Sequence, residues 1–164
     1  MSPDPTSDHQ GISGNLFGPV WNYFKGKKCK VFSAPFDVRL PVSSKKKADR
    51  DIITVVQPDL CVICDLSKID KRGCLGAPDW IIEILSKYTS AKDITLKFDI
   101  YEAADVKEYW VVHPEEQTLL IYTLDESGKY RGSRKPYVKS DIVSPVIFPE
   151  LQINLQEVFA EFTP

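Results

Sequence analysis

The chain has 164 residues, 43% of them apolar, with 3 Trp, 7 Tyr and 8 Phe, which is enough for one packed core and excludes global disorder. Its net charge of −2 excludes a polybasic protein but hides an asymmetry, since residues 25–50 carry a local +7 and residues 51–128 a local −8. No apolar run approaches the ~18 residues that span a bilayer, and the polar, acidic start does not read as a signal peptide, so the expectation is a soluble, cytoplasmic protein.

Residues 1–8 read as a flexible lead-in and residues 9–164 as a single domain. From His9 onward, Ile12, Leu16, Val20, Tyr23 and Phe24 recur at three- and four-residue steps, which predicts an amphipathic helix. Pro19 is a point where it would kink, and Gly26 with the lysines after it suits the helix end. Residues 29–34 and 36–41 read as short extended runs, 43–50 as a hydrophilic loop, and 52–57 is ambiguous. Pro58 and Asp59 lead into an apolar strand over 60–64. Residues 65–78, rich in charge, Gly and Pro, read as a loop. A second buried strand covers 80–86, a helix 89–104, and further strands 108–113, 118–124 and 130 onward, with turns at 114–117 and 125–128. A short helix over 155–162 closes the chain. This order predicts an α/β fold: a mixed sheet of five or six strands with a helix packed between strand pairs.

Cys61 and Cys64 have the spacing of a zinc or redox pair. They lie, however, inside the apolar run Leu60-Cys61-Val62-Ile63-Cys64, and in a strand positions i and i+3 point to opposite faces. A zinc knuckle places such a pair on a turn and needs a second pair, which is missing. All four cysteines (Cys29, Cys61, Cys64, Cys74) are therefore expected to be buried free thiols, and a disulfide framework is not expected in a cytosolic chain.

Glu83 lies in the middle of Trp80-Ile81-Ile82-Glu83-Ile84-Leu85. An ionised carboxylate buried there costs several kcal/mol unless something offsets it. A metal ion, a buried cation or a raised pKa would do so; alternatively the strand is an edge strand and Glu83 faces water. Asp59 opens the neighbouring apolar strand, so if 58–64 and 80–86 lie side by side the two acids meet at one end of the sheet. Two carboxylates there need a cation between them, and oxygen donors favour Mg2+ or Mn2+ over zinc. Alone, Asp59 also reads as an ordinary turn residue. On the next helix Asp93, Lys97 and Tyr101 stand at i, i+4, i+8 and share a face. They are either a surface ion pair with a neighbour or the arm that brings Lys97 to the carboxylates.

Gln57-Pro58-Asp59-Leu60, followed by Gly76-Ala77-Pro78-Asp79-Trp80-Ile81-Ile82-Glu83-Ile84-Leu85-Ser86, resembles the Uma-two family of predicted restriction endonucleases, within the PD-(D/E)XK nuclease superfamily. Asp93, Lys97, Tyr101 and Glu108-Tyr109-Trp110-Val111-Val112-His113-Pro114 continue the pattern, which covers nearly the whole chain. The resemblance implies a restriction-endonuclease-like core, a central mixed β-sheet flanked by helices. It implies Asp59 and Glu83 as ligands of a divalent metal, with the backbone carbonyl of Ile84. The superfamily's usual lysine position is Leu85 here, which makes Lys97 on the helix its counterpart. Lys87, Asp105-Val106-Lys107 and His113 depart from the family's common residues without removing a ligand.

The function expected is Mg2+- or Mn2+-dependent hydrolysis of DNA phosphodiester bonds, with Asp59, Glu83 and Lys97 catalytic. Asp37, Asp93, Tyr101 and His9 are supporting candidates, although a histidine at a helix start also reads as a surface residue. DNA phosphates would meet Lys27, Lys28, Lys45, Lys46, Lys47, Arg131 and Arg134, or these are merely solubilising. A homodimer would suit cutting both strands. The rivals are a non-catalytic nucleic-acid-binding or scaffold domain on the nuclease fold, and a zinc protein using Cys61, Cys64 and Cys74.

Overall fold

The computed structural model describes residues 6–41 and 53–161. Helix α1 (Ser7–Phe24) starts where the Thr6 side chain accepts the His9 N–H, within the stretch read as a flexible lead-in. It runs unbroken through Pro19 because Ile12, Leu16, Val20 and Phe24 all bury on one face, and tertiary packing outweighs the missing N–H. Gly26, at a φ of 76°, ends it.

The strands follow as β1 (Lys30–Ser33), β2 (Val38–Pro41), β3 (Ile53–Val56), β4 (Leu60–Ile63), β5 (Ile69–Asp70), β6 (Gly73–Leu75) and β7 (Trp80–Ile84). Helix α2 (Ala91–Ala103) leads to β8 (Glu108–His113), β9 (Thr118–Leu124), β10 (Tyr130–Gly132), β11 (Tyr137–Val138), β12 (Ile142–Val143), β13 (Ile153–Asn154) and α3 (Leu155–Val158). Among the described residues the main sheet has seven strands in the order β1-β4-β7-β8-β9-β10, with β11 also on β9. The count exceeds the expected five or six because β10 and β11 share β9 between them. The segment 65–78, read as a loop, holds β5 and β6, which are too short to show any alternation; they join β2 and β3 in a four-stranded sheet.

The β7–β8 pair is parallel and bridged by α2, while β4 lies antiparallel to β7 and β9 antiparallel to β8. The sheet is mixed, as expected. Each of its faces has its own core. Trp80, Ile82, Ile84, Trp110 and Val112 pack against the buried stripe of α1 and against Leu155 and Val158 of α3. Cys61, Ile63, Ile81, Tyr109 and Val111 pack against Tyr101 of α2 and against Val38 and Leu40. Side-chain alternation along β7 therefore puts Glu83 on the α2 face, with Ile81.

The cysteines divide between these faces. Cys61 and Cys74 are buried free thiols. Cys29 and Cys64 are joined in a disulfide, which corrects the expectation of four free thiols. The register explains it: Lys30 pairs with Ile63, so Cys29 falls opposite Cys64, with 4.1 Å between their Cα atoms. Cys64 packs on the α1 face and Cys61 on the α2 face, so their side chains diverge as strand geometry requires. Among the described residues, no helix is long and apolar enough to cross a membrane.

Candidate active site

The antiparallel register sets Leu60 against Ile82, which places Asp59, one residue before β4, across from Glu83. β4 has no residue in line to pair with Ile84. A residue's N–H and C=O point to the same side of its strand, so both backbone groups of Ile84 reach into the space that the strand end leaves open. The Asp59 carboxylate takes the N–H, with Oδ2 accepting from Ile84 at 2.7 Å. His9, on the first turn of α1, takes the carbonyl: its Nε2 is 3.1 Å from the Ile84 oxygen and 3.3 Å from Asp59 Oδ1. Three distant stretches thus converge on one end of the sheet.

Glu83 points toward α2. Its Oε1 accepts from the Tyr101 hydroxyl at 2.5 Å and from Lys97 Nζ at 3.4 Å. Helical spacing brings Lys97 and Tyr101 to it together, one turn apart. Only 13% of the Glu83 side chain is exposed and 16% of Asp59. Burial pushes the Glu83 pKa up to about 7; Lys97 opposes the shift and the nearby Asp59 carboxylate reinforces it. His9 is shifted upward too, chiefly by its hydrogen bond to Asp59, against the effect of burial. The Tyr101 hydroxyl is held protonated by burial and by Glu83.

The other candidate residues fall elsewhere. Asp93 turns to its own helix: it accepts from the Ser90 N–H and hydroxyl at 3.2 and 2.8 Å, and Ser90 accepts from the Asp93 N–H, a reciprocal capping box. The need of the first helical turn for acceptors outweighs an exposed ion pair with Lys97. Asp37, just before β2, accepts from Gln57 Nε2 at 2.7 Å, two residues along the chain from Asp59. Lys27 and Lys28 follow the C-terminal end of α1, which lies ~22 Å along the axis from His9. Lys27 covers the Tyr23 ring at 3.4 Å. Arg131 pairs with Thr123, which itself pairs with Glu108 at the start of β8, and so lies at the end of the sheet away from Asp59; it is bonded to Asp125 at 2.7 Å. These three cations therefore do not ring the acids, because the sheet register carries them to the opposite end. Arg134, which is exposed, follows β10. Lys45, Lys46 and Lys47 lie outside the described residues.

The sequence offers His9 both as a supporting candidate and as a surface residue at a helix start, and the structure places it against Asp59. A signal was present, since positions 9, 12 and 16 continue the buried stripe of α1 to its first turn. Among the described residues, no three His, Cys, Asp or Glu side chains gather closely enough to hold a metal by themselves. The donors available are a mixed set: the Asp59 and Glu83 carboxylates, the Ile84 carbonyl and the His9 ring. Oxygen donors of this kind suit a hard divalent cation, and the charge of buried Glu83, only partly offset by Lys97, leaves room for one.

The family model described as "Putative restriction endonuclease" (Uma2) matches residues 1–156. The chain belongs to the Uma2 family. Among solved structures it is similar to a protein of Anabaena variabilis described as a "putative nuclease belonging to DUF820". The two chains are 21% identical, the match covers 98% of this chain and 84% of the other, and the TM-score is 0.73. At that identity the likeness establishes the fold, a mixed sheet flanked by helices. No curated protein matches the chain. The strand order that sets Asp59 across from Glu83 is thus that of a Uma2 protein.

Proposed function

We propose that this Uma2 chain is an endonuclease that hydrolyses DNA phosphodiester bonds with a divalent cation, Mg2+ or Mn2+. The observation that carries the reading is the convergence of Asp59 and Glu83, from the ends of adjacent strands, with Lys97 on the second acid. Asp59, Glu83 and the Ile84 carbonyl would hold the cation. Bound there, it supplies Lewis acidity toward the phosphate and lowers the pKa of a bound water.

The chain's own groups do the rest. Tyr101, fully buried, fixes the Glu83 carboxylate in place. The Ile84 N–H fixes Asp59 through Oδ2, and Oδ1 faces the His9 ring at 3.3 Å. Lys97 is partly exposed beside Glu83 and can hold a phosphoryl oxygen or orient the attacking water. Glu83, whose pKa is raised chiefly by burial and further by the nearby Asp59 carboxylate, would hold a cation in its ionised form. A cytoplasmic homodimer presenting two such sites suits double-strand cleavage.

The test is nicking of supercoiled plasmid with Mg2+ or Mn2+ and with chelator. Cleavage by the wild type that chelator and Glu83→Ala both abolish supports the reading. Cleavage that survives Glu83→Ala overturns it, and DNA retention with no cleavage under either metal turns it into the scaffold alternative.

A further inference from the structure

The open strand end is flanked by opposite charges. On the α1 side a cavity of about 410 Å3 lies against the first helical turn, lined by Asp8, Glu115 and Glu161 with no lysine or arginine among the described residues. On the α2 side, residues 86–97 carry Lys87, Lys92 and Lys97 against one acid, Asp93. That acid is turned to Ser90. A polyanion is therefore repelled from the first flank and drawn to the second.

The α2 flank also presents Tyr88, which at 60% exposure is the most exposed aromatic among the described residues. The turn that carries it is tied at both ends. The Leu85 N–H donates to the Val112 carbonyl at 2.9 Å, continuing the β7–β8 ladder past Ile84. The Ser86 N–H donates to Thr89 Oγ1 and the Thr89 N–H to the Ser86 carbonyl, both at 3.0 Å. The Tyr88 N–H donates to Ser86 Oγ at 3.3 Å, and the Ser90 capping box then starts α2. Tyr88 is four positions after Ile84, so their Cα atoms are within ~14 Å even for a straight chain, and the turn brings them closer. Lys87 Nζ stands 5.1 Å from the centre of the Tyr88 ring. At its exposure the ring keeps a face open to solvent. A nucleobase stacks on such a ring while the neighbouring phosphate meets the cation.

We propose that Tyr88 is a stacking platform for an unpaired nucleobase beside the phosphate to be cut, with Lys87 and Lys92 on flanking phosphates. The substrate class is then a strand with an unpaired base near the cut: single-stranded DNA, or duplex from which that base is turned out. A base stacked inside a duplex has both faces covered and offers none to Tyr88. The inference rests on the endonuclease reading for the cut itself, and adds how the strand is held and from which flank it enters.

The experiment is binding of two fluorescein-labelled strands to the whole chain, with chelator present so that metal-dependent cleavage does not compete. One strand is oligo(dT) and the other is an equally long strand of abasic residues, so they share their phosphates and differ in bases. Wild type should bind oligo(dT) about tenfold more tightly. Tyr88→Ala should bring oligo(dT) down to the abasic value, and Tyr88→Phe should keep the difference. Tyr88 is exposed, so these substitutions leave the core intact. Replacing Lys87 and Lys92 by alanine should weaken both strands alike and flatten the log–log salt dependence by about 1.4. Equal binding of the two strands by wild type, or a base preference that survives Tyr88→Ala, overturns the platform. In cleavage of a single strand, Tyr88→Ala should raise KM with little change in kcat. Base-dependent binding that Tyr88→Ala removes, with no cleavage by wild type under Mg2+ or Mn2+, overturns the endonuclease reading and supports the stacking role.

Discussion

Two buried carboxylates stand on neighbouring strands and have opposite fates. Glu83, near the end of β7, faces α2; Glu108, at the start of β8, lies at the other end of the sheet and is fully buried. Burial raises the pKa of each. Glu108 is surrounded by fixed neutral donors: the Trp110 indole N–H at 2.6 Å and the Ile147 N–H at 3.1 Å. Its two oxygens each have a partner that cannot leave, so it ties β8 to the segment before Phe148. Glu83 instead meets a hydroxyl, a partly exposed ammonium and a second carboxylate. The difference teaches that burial alone does not mark a functional acid. What marks it is charge left only partly offset at an open strand end.

The sharpest way to break this contrast is activity. Glu83→Gln should lower plasmid cleavage on the order of a hundred- to a thousandfold, and Glu108→Gln should leave the rate per folded molecule within a fewfold. Equal losses would mean that both are structural. The next largest effect belongs to the far end of β4. Replacing Cys29 and Cys64 by serine opens a link across a sequence separation of 35, and should cost about 3–4 kcal/mol in urea unfolding without changing Mn2+ affinity, since Asp59 lies at the other end of that strand.

Glu83 also makes a pH prediction. Its usual pKa of 4.5 applies to the unfolded chain and about 7 to the folded one. Between those values the folded protein holds the extra proton, so stability of the metal-free protein should fall as pH rises through this window, by about 3 kcal/mol in all. His9, raised above 6.5 by Asp59, adds a loss of the same sign above that pH. Urea midpoints measured with chelator across pH 4.5–7.5 should show the decline, and Glu83→Gln should flatten most of it. A smaller effect, about 2 kcal/mol of destabilisation, is expected for Glu108→Gln, because its amide sets a donor against one of two buried donors. The smallest is Asp93→Ala. Loss of the capping box should cost about 1 kcal/mol of stability with cleavage retained, and a collapse of cleavage in that folded variant would return Asp93 to the site.

Much of the fold was legible because local patterns carried it. The steps from Ile12 to Phe24 mark α1, the apolar runs mark β4 and β7, and the spacing of Lys97 and Tyr101 puts both on one helix face before any contact is known. The disulfide was not legible, since nothing near Cys29 or Cys64 says that β1 and β4 pair in the register that sets them opposite. Glu108 was equally hidden: a glutamate at a strand start reads as exposed, and only the return of the chain at Ile147 buries it. The placement of Lys27 and Arg131 was hidden for the same reason, because charge counts along the chain carry no information about which end of a sheet each residue reaches.

By itself, the sequence determined the longer helices and strands, their order and the residue types capable of metal chemistry, since propensity and periodicity act within a few residues. Only the tertiary structure decided which of those residues meet. The pairing of Asp59 with Glu83, the approach of His9 to Ile84 from 75 positions away and the removal of Lys27 and Arg131 to the far end all depend on strand register. Register is set by the fit of side chains across two cores, a property of the assembled sheet that no short stretch of chain contains.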